Sequence, residues 1–190
     1  MFGATRLVCR QPIGLLNQVQ PAPLLTQIVG PSEETREVGR AKKEMAERER
    51  LRYRFFEGLL EHAKTRTSLH ANISPSKRSW VGVGSGIAGV AFNYVVRQHD
   101  ARVELYIDTR DSDKNQRISG ALADNKDSIE RTFGHSLKWG ALKGRQACRI
   151  SKAYGNRGYL DEDKWEAVYE ALVDAMAKFG SALKPHLKGL

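Results

Sequence analysis

The chain has 190 residues, 41% hydrophobic and 28% charged, a balance that suits one globular domain with extensions and excludes a disordered or low-complexity chain. Its formal net charge of +9 favours acidic partners, nucleic acid first and an anionic membrane surface second. The two cysteines, Cys9 and Cys148, form no CxxC pair, which excludes a disulfide scaffold and leads us to expect a reducing, cytoplasmic setting. No apolar run approaches the roughly 20 residues of a membrane span. Asn17, Gln18, Gln20 and two prolines break up the N-terminal apolar residues, which makes a poor signal peptide, so no membrane partner is expected.

Residues 1–31 contain Pro12, Pro21, Pro23 and Pro31 and read as an extended arm or linker, with a short strand at Leu24 to Val29. The remainder, 32–190, reads as a single domain. Ser32 suits an N-cap, and Glu33 and Glu34 fall where a helix dipole favours acids. A helix over 32–64 follows. Its first half is crowded with Glu, Arg and Lys. Its second half places Tyr53, Phe56, Leu60 and Ala63, with Phe55 and Leu59 beside them, at the spacing of a core-facing stripe.

Beyond a polar loop around Pro75, the sheet and its helices are expected over 79–187. The stretch Ser79 to Asp108 reads as three strands. Val90, Phe92, Tyr94 and Val96 alternate along the second. In the third, Val103, Leu105 and Ile107 form one face, with Arg102, Glu104, Tyr106 and Asp108 on the other. Gln98 to Ala101 joins them as a hairpin loop. A helix over Asp113 to Phe133 carries the stripe Ile118, Leu122, Ile129 and Phe133, and Gly134 suits its C′ position. A fourth strand, Ala147 to Ser151, follows an irregular stretch around Trp139. The last helix is capped by Asp161, striped by Trp165, Val168, Tyr169, Leu172, Met176, Phe179 and Leu183, and stopped at Pro185. The order α-β-β-β-α-β-α predicts an α+β fold with a small, largely antiparallel sheet.

Several motifs resolve into plain structure. Gly82, Gly84, Gly86 and Gly89 spell a dinucleotide fingerprint, but a strand follows where the phosphate-binding helix belongs, so a tight β turn is the better reading. Asp111-x-Asp113-x-Asn115 opens like a calcium loop and then offers Gln116 for the glycine and Leu122 for the bidentate acid; a helix cap at Asp111 or Ser112 explains it better. His62, His70, His99, His135 and His186 show no ligand spacing and read as surface or capping residues. Ser85 lacks the strand-turn-helix setting of a nucleophile elbow. No metal site and no cofactor are expected.

Arg52 to Phe56, Ser74-Pro75-Ser76 with Trp80, the Gly84-x-Gly86 turn, Val103 to Asp108 and Ile129-Glu130 occur in order. Phe133-Gly134, Cys148-Arg149-Ile150, Gly158-Tyr159 and Lys164-Trp165 follow them. Together, over Leu51 to Leu187, the chain resembles the prokaryotic family called domain of unknown function 4268. The resemblance implies a domain often placed after a nuclease-like domain of the PD-(D/E)XK type. The roughly 30 residues before the first helix are too few for such a domain, so a stand-alone or shortened form, or a catalytic partner on another chain, is expected.

The first functional reading is a non-catalytic module of a DNA-processing or defence system that binds nucleic acid or a partner protein. Its contacts would be Lys77, Arg78, Arg97, Arg102, Tyr106, Arg110 and Arg149. Trp80 is available to stack but is expected to be packed. The alternative is a divergent Mg²⁺-dependent nuclease, since the element order also fits a PD-(D/E)XK core. Such enzymes need a strand acid and an acid-x-Lys; here Glu104-Leu105-Tyr106 lacks the lysine, and Asn93 stands where an acid is wanted. Glu104, Asp108 and Glu57 are its candidate ligands, and Mg²⁺ enters only with this reading. A third reading is oligomerisation, or protein contact, through the charged half of the long helix.

Overall fold

The computed structural model describes residues 33–142 and 144–190, together with the backbone of 6–9 and 25–28. Two compact units divide the chain at Ala46, inside the long helix. In the first unit, β1 (Arg6–Cys9) and β2 (Leu25–Ile28) pair antiparallel. The strand expected near Leu24 to Val29 is therefore present, and it has a partner that the sequence pattern did not reveal. The proposed Ser32 cap, and the rest of the arm over 1–31, lie outside the described residues.

Helix α1 spans Glu33–Lys64, with Glu33 and Glu34 in its first turn and His62 and Lys64 in its last, the polarity its dipole favours. From Glu33 to Arg48 it is almost wholly exposed. In the second unit it buries Phe55, Phe56, Leu59, Leu60 and Ala63. Tyr53, expected in that stripe, is 39% exposed. The ring of Phe55 takes the inward place instead, edge-on to Trp165 at 5.5 Å and Tyr169 at 5.1 Å.

Five antiparallel strands form the sheet: β3 (Trp80–Gly84), β4 (Val90–Val96), β5 (Asp100–Ile107), β6 (Lys138–Ala141) and β7 (Cys148–Gly155), in the order β3-β4-β5-β7-β6. The turn between β3 and β4 requires Gly89: its φ is +81°, and a Cβ there would stand 2.5 Å from the Asp108 carbonyl oxygen. This confirms the glycine run as a turn. The fourth strand expected from the sequence runs four residues further than Ser151, and β6 replaces the irregular stretch around Trp139. Glu130 fixes β6 by accepting from Leu137 N and from the Trp139 indole, both at 2.8 Å. Those two donors, the backbone one first, hold its carboxyl below the usual carboxylate range.

The helix expected over Asp113 to Phe133 is two helices, α2 (Ser112–Ala123) and α3 (Lys126–Phe133). Asp124 and Asn125 interrupt it. The Asn125 side chain donates to Ala121 O at 3.0 Å, a local bond that competes with helix continuation. The stripe Ile118, Leu122, Ile129 and Phe133 survives the break and is buried throughout, and Gly134 ends α3 with a φ of 88°. Asp111 caps α2 through Lys114 N at 3.0 Å, as expected. Asn115 is fully buried: its Oδ1 accepts from Thr109 N and Thr109 Oγ1, and its Nδ2 donates to Gln146 O.

A single 3₁₀ turn (Glu162–Lys164) leads into α4 (Trp165–Leu187), all of whose expected stripe is buried. Asp161 precedes the turn without a side-chain capping bond. Pro185 lies inside the last turn of α4 instead of ending it. A proline this close to the end removes one intrahelical bond, and Leu187, buried beyond it, offsets that loss by joining the core. Helix α4 packs on one face of the sheet, where Phe179 meets Phe92 at 6.1 Å and Phe133 at 5.8 Å. That face carries Val81, Val90, Phe92, Tyr94, Val96, Val103, Leu105, Ile107 and Ile150, all buried. His70, expected at the surface, is also buried there: its Nε2 lies 3.2 Å from Phe92 O and its ring 4.6 Å from that of Tyr94.

Candidate functional site

The strand register assigns every polar residue of β5 to the face away from α4. Antiparallel partners project on the same side, so three rows cross this second face. Trp80, Val95, Arg102 and Ala153 form the first. Gly82, Asn93, Glu104, Ser151 and Lys138 form the second, and Gly84, Ala91, Tyr106, Arg149 and Gly140 the third. The expected alternation of Arg102, Glu104 and Tyr106 with a buried apolar set is therefore correct. Among the described residues, the polar side chains of this face are joined only to one another and to the chain just before β3 or after β5.

At the centre is Glu104, 5% exposed. Its Oε2 accepts from Arg102 Nε at 2.7 Å and lies 3.5 Å from Arg149 Nη1, and its Oε1 lies 3.4 Å from Asn93 Nδ2. Arg102 also approaches Asp100 at 3.9 Å. Two guanidiniums and an amide thus surround one buried carboxylate, the condition under which burying a charge is tolerable. Gly82 belongs to the same construction, because a Cβ there would overlap Asn93 Oδ1. That oxygen is buried and has no donor among the described residues.

The edge of the face is aromatic. Trp80, expected to be packed, is 43% exposed because it stands on the outer strand, and the Arg78 guanidinium sits 5.9 Å from its ring centroid. Tyr106 is half-buried beside Arg149. On the strands, Arg102, Arg149 and Lys138 are balanced by Asp100, Glu104 and the adjoining Asp108. The positive excess comes from exposed residues at the ends: Lys77, Arg78 and Arg97 where β3 begins and β4 finishes, and Arg110 beyond the far end of β5.

The three candidate metal ligands are not assembled. Glu104 is occupied by guanidiniums. Asp108 turns back to accept from Arg110 N at 3.3 Å. Glu57 lies on α1 in the helical layer, in a groove with Arg54, Trp165 and Tyr169. Among the described residues, no group of three or more His, Cys, Asp or Glu side chains is placed to hold a metal ion. No described helix is long and apolar enough to cross a membrane.

Of the residues singled out in the sequence, Arg102, Tyr106 and Arg149 share this face, and Lys138, not singled out there, joins them through β6. Asn93 was weighed only as a missing acid, not as part of the Glu104 network. Part of the network was visible in principle: Asn93 is the one amide in the otherwise apolar β4, and pairing aligns it with Glu104 and Ser151 in one row.

No curated protein and no solved structure matches the chain. The family described as Domain of unknown function (DUF4268) matches residues 51–187, which takes in the second half of α1, the whole five-stranded sheet and α4, and the chain belongs to that family.

Proposed function

We propose that the chain is a non-catalytic nucleic-acid-binding module whose contact surface is the polar face of the sheet. One observation carries the reading: on a face that no described helix covers, exposed Trp80 and half-buried Tyr106 stand among Arg102, Arg149 and Lys138. Aromatic platforms interleaved with cations suit bases and phosphates together, and phosphate contacts come most readily from Arg and Lys. Lys77, Arg78, Arg97 and Arg110 extend the positive potential beyond both ends of the sheet, which supports the reading through charge. Within it, the module serves a prokaryotic DNA-processing or defence system, the setting that the family resemblance implies.

The test uses the full chain, labelled single-stranded and duplex probes, and a parallel incubation with Mg²⁺. The expected result is retention at low salt that falls about 10³-fold or more between about 50 and 200 mM salt, without cleavage. Binding is expected to quench tryptophan fluorescence, because Trp80 is the most exposed of the three tryptophans. Mg²⁺-dependent cleavage that disappears in Glu104→Ala would replace this reading with the nuclease one.

Self-association through α1 is a second reading, favoured by Val38 and Met45. They lie seven residues apart on one side of the helix and are 49% and 58% exposed. Sedimentation of the full chain tests it: a dimer that Met45→Glu converts to a monomer supports it, and a wild-type monomer at high concentration rejects it.

A further inference from the structure

Arg102 and Arg149 look alike in the sequence: each is a strand arginine flanked by apolar residues, Ala101 and Val103 for the first and Cys148 and Ile150 for the second. The structure separates them. The Arg102 side chain is 12% exposed and committed, with Nε on Glu104 at 2.7 Å and Nη1 toward Asp100 at 3.9 Å. The Arg149 side chain is 22% exposed and reaches the same carboxylate oxygen with one nitrogen at 3.5 Å. A good charge-assisted bond is about 2.8 Å, so Arg149 is tethered rather than used up. It has no other hydrogen-bond partner among the described residues.

The row that contains Arg149 is open at both ends. Neither Gly84 nor Gly140 has anything within 4 Å of the position a Cβ would occupy. Between them stand Ala91, Tyr106 and Arg149, each the register partner of the next. With strands about 4.8 Å apart, Gly84 and Ala91 leave a strip roughly one base wide against the Tyr106 ring. Arg149 rises on the opposite side of that ring. Asn93 Oδ1, 6% exposed as a residue and lacking a donor, borders the strip in the neighbouring row above Gly82.

We propose that this row is a one-nucleotide subsite for a single strand, with Tyr106 as the base platform, Arg149 as the phosphate contact and Arg102 as a purely structural cation. The proposal rests on the nucleic-acid reading above. It narrows the ligand to a phosphodiester chain with unstacked bases, because a duplex keeps its base faces stacked and offers Tyr106 nothing to cover.

The experiment is an anisotropy titration of the full chain with labelled oligo(dT), oligo(U) and a duplex of equal length, at several salt concentrations. Folding of each variant is checked by circular dichroism. Wild type is expected to prefer one or both single strands over the duplex by about ten-fold or more, and the two single-stranded probes distinguish DNA from RNA as the source. Arg149→Ala is expected to weaken binding about ten-fold and to lower the slope of log affinity against log salt by about one. Tyr106→Phe is expected to keep the affinity that Tyr106→Ala loses. Ala91→Trp leaves the Glu104 network intact and fills the strip, so it is expected to weaken single-strand binding even if Arg149→Ala does not fold. Equal affinity for duplex, or unchanged binding in Ala91→Trp and Tyr106→Ala, overturns the subsite while leaving the broader reading in place. Failure of wild type to retain any probe at low salt overturns both.

Discussion

On the α4 side of the sheet, Phe92, Val103, Leu105 and Ile150 are fully buried and belong to the hydrophobic core. One residue along the same strands, Asn93, Arg102, Glu104 and Ser151 occupy the other side, and three of the four are buried almost as deeply. The first face is held by area removed from water, which is non-directional and tolerates exchange of shapes. The second is held by a few directed bonds around one carboxylate, which lose most of their value when any partner is removed. A binding surface gains from the second arrangement: its cations are fixed in place before a ligand arrives, so less ordering remains to be done on binding.

The largest expected effect lies on the apolar face. Phe179 is fully buried and edge-on to both Phe92 and Phe133. Phe179→Ala is expected to cost about 3–5 kcal/mol in a urea titration, enough to remove much of a small domain's stability. A cost below about 1 kcal/mol would mean that α4 does not anchor that face.

Glu104→Leu comes next, at about 3 kcal/mol, because it leaves two guanidiniums partly buried without their shared acceptor. The sharper measurement is the triple replacement of Arg102, Glu104 and Arg149 by leucine. If the network serves binding and not folding, the triple variant is expected to recover most of the stability lost in the single one while binding nucleic acid about ten-fold more weakly, the effect expected of Arg149→Ala. A triple variant as unstable as Glu104→Leu would show the network to be a requirement of the fold.

The apolar face was readable in the sequence because alternation in β4 and β5 and the 3.6-residue stripe of α4 are periodic signals, and burial follows them directly. What escaped was set by contacts between distant residues. Strand β6 has four residues, one of them Gly140, and exists because Glu130 receives the Trp139 indole. The break at Asp124-Asn125 turns on a single side-chain bond. His70 is buried because the loop that carries it folds over Phe92, which no local pattern announces. On the polar face, residue types singled out β5, but pairing alone shows that Arg102 is held at 2.7 Å by Glu104 and Arg149 only at 3.5 Å.

His70 links stability to pH on the apolar side. Burial, with a smaller contribution from Lys184, lowers its pKa from 6.5 to about 4, against the opposing effect of its hydrogen bond to Phe92 O. Its Nδ1 has no partner among the described residues. Protonation therefore favours the unfolded chain, whose histidine titrates near 6.5. The stability in question is fully present above about pH 6.5 and is lost as pH falls toward 4, by up to about 3 kcal/mol. Urea midpoints measured across that window are expected to fall, and His70→Phe is expected to flatten the curve. An unchanged curve in the variant would assign the acid loss to other groups.

Trp80 gives the smallest expected effect on the fold. It stands at the outer edge of the polar face, 43% exposed, with the Arg78 guanidinium 5.9 Å from its ring centroid. Trp80→Ala is expected to change stability by about 0.5 kcal/mol, as an exposed substitution does. The same change is expected to weaken single-strand binding by about 1–3 kcal/mol, the worth of one stacked base, and to abolish the tryptophan quench on binding. Stability and affinity should thus separate at this position as they cannot at Glu104, where one carboxylate serves both. A Trp80→Ala chain that loses stability and keeps its affinity would instead make Trp80 part of the packing, and would confine nucleic-acid contact to the rows around Tyr106.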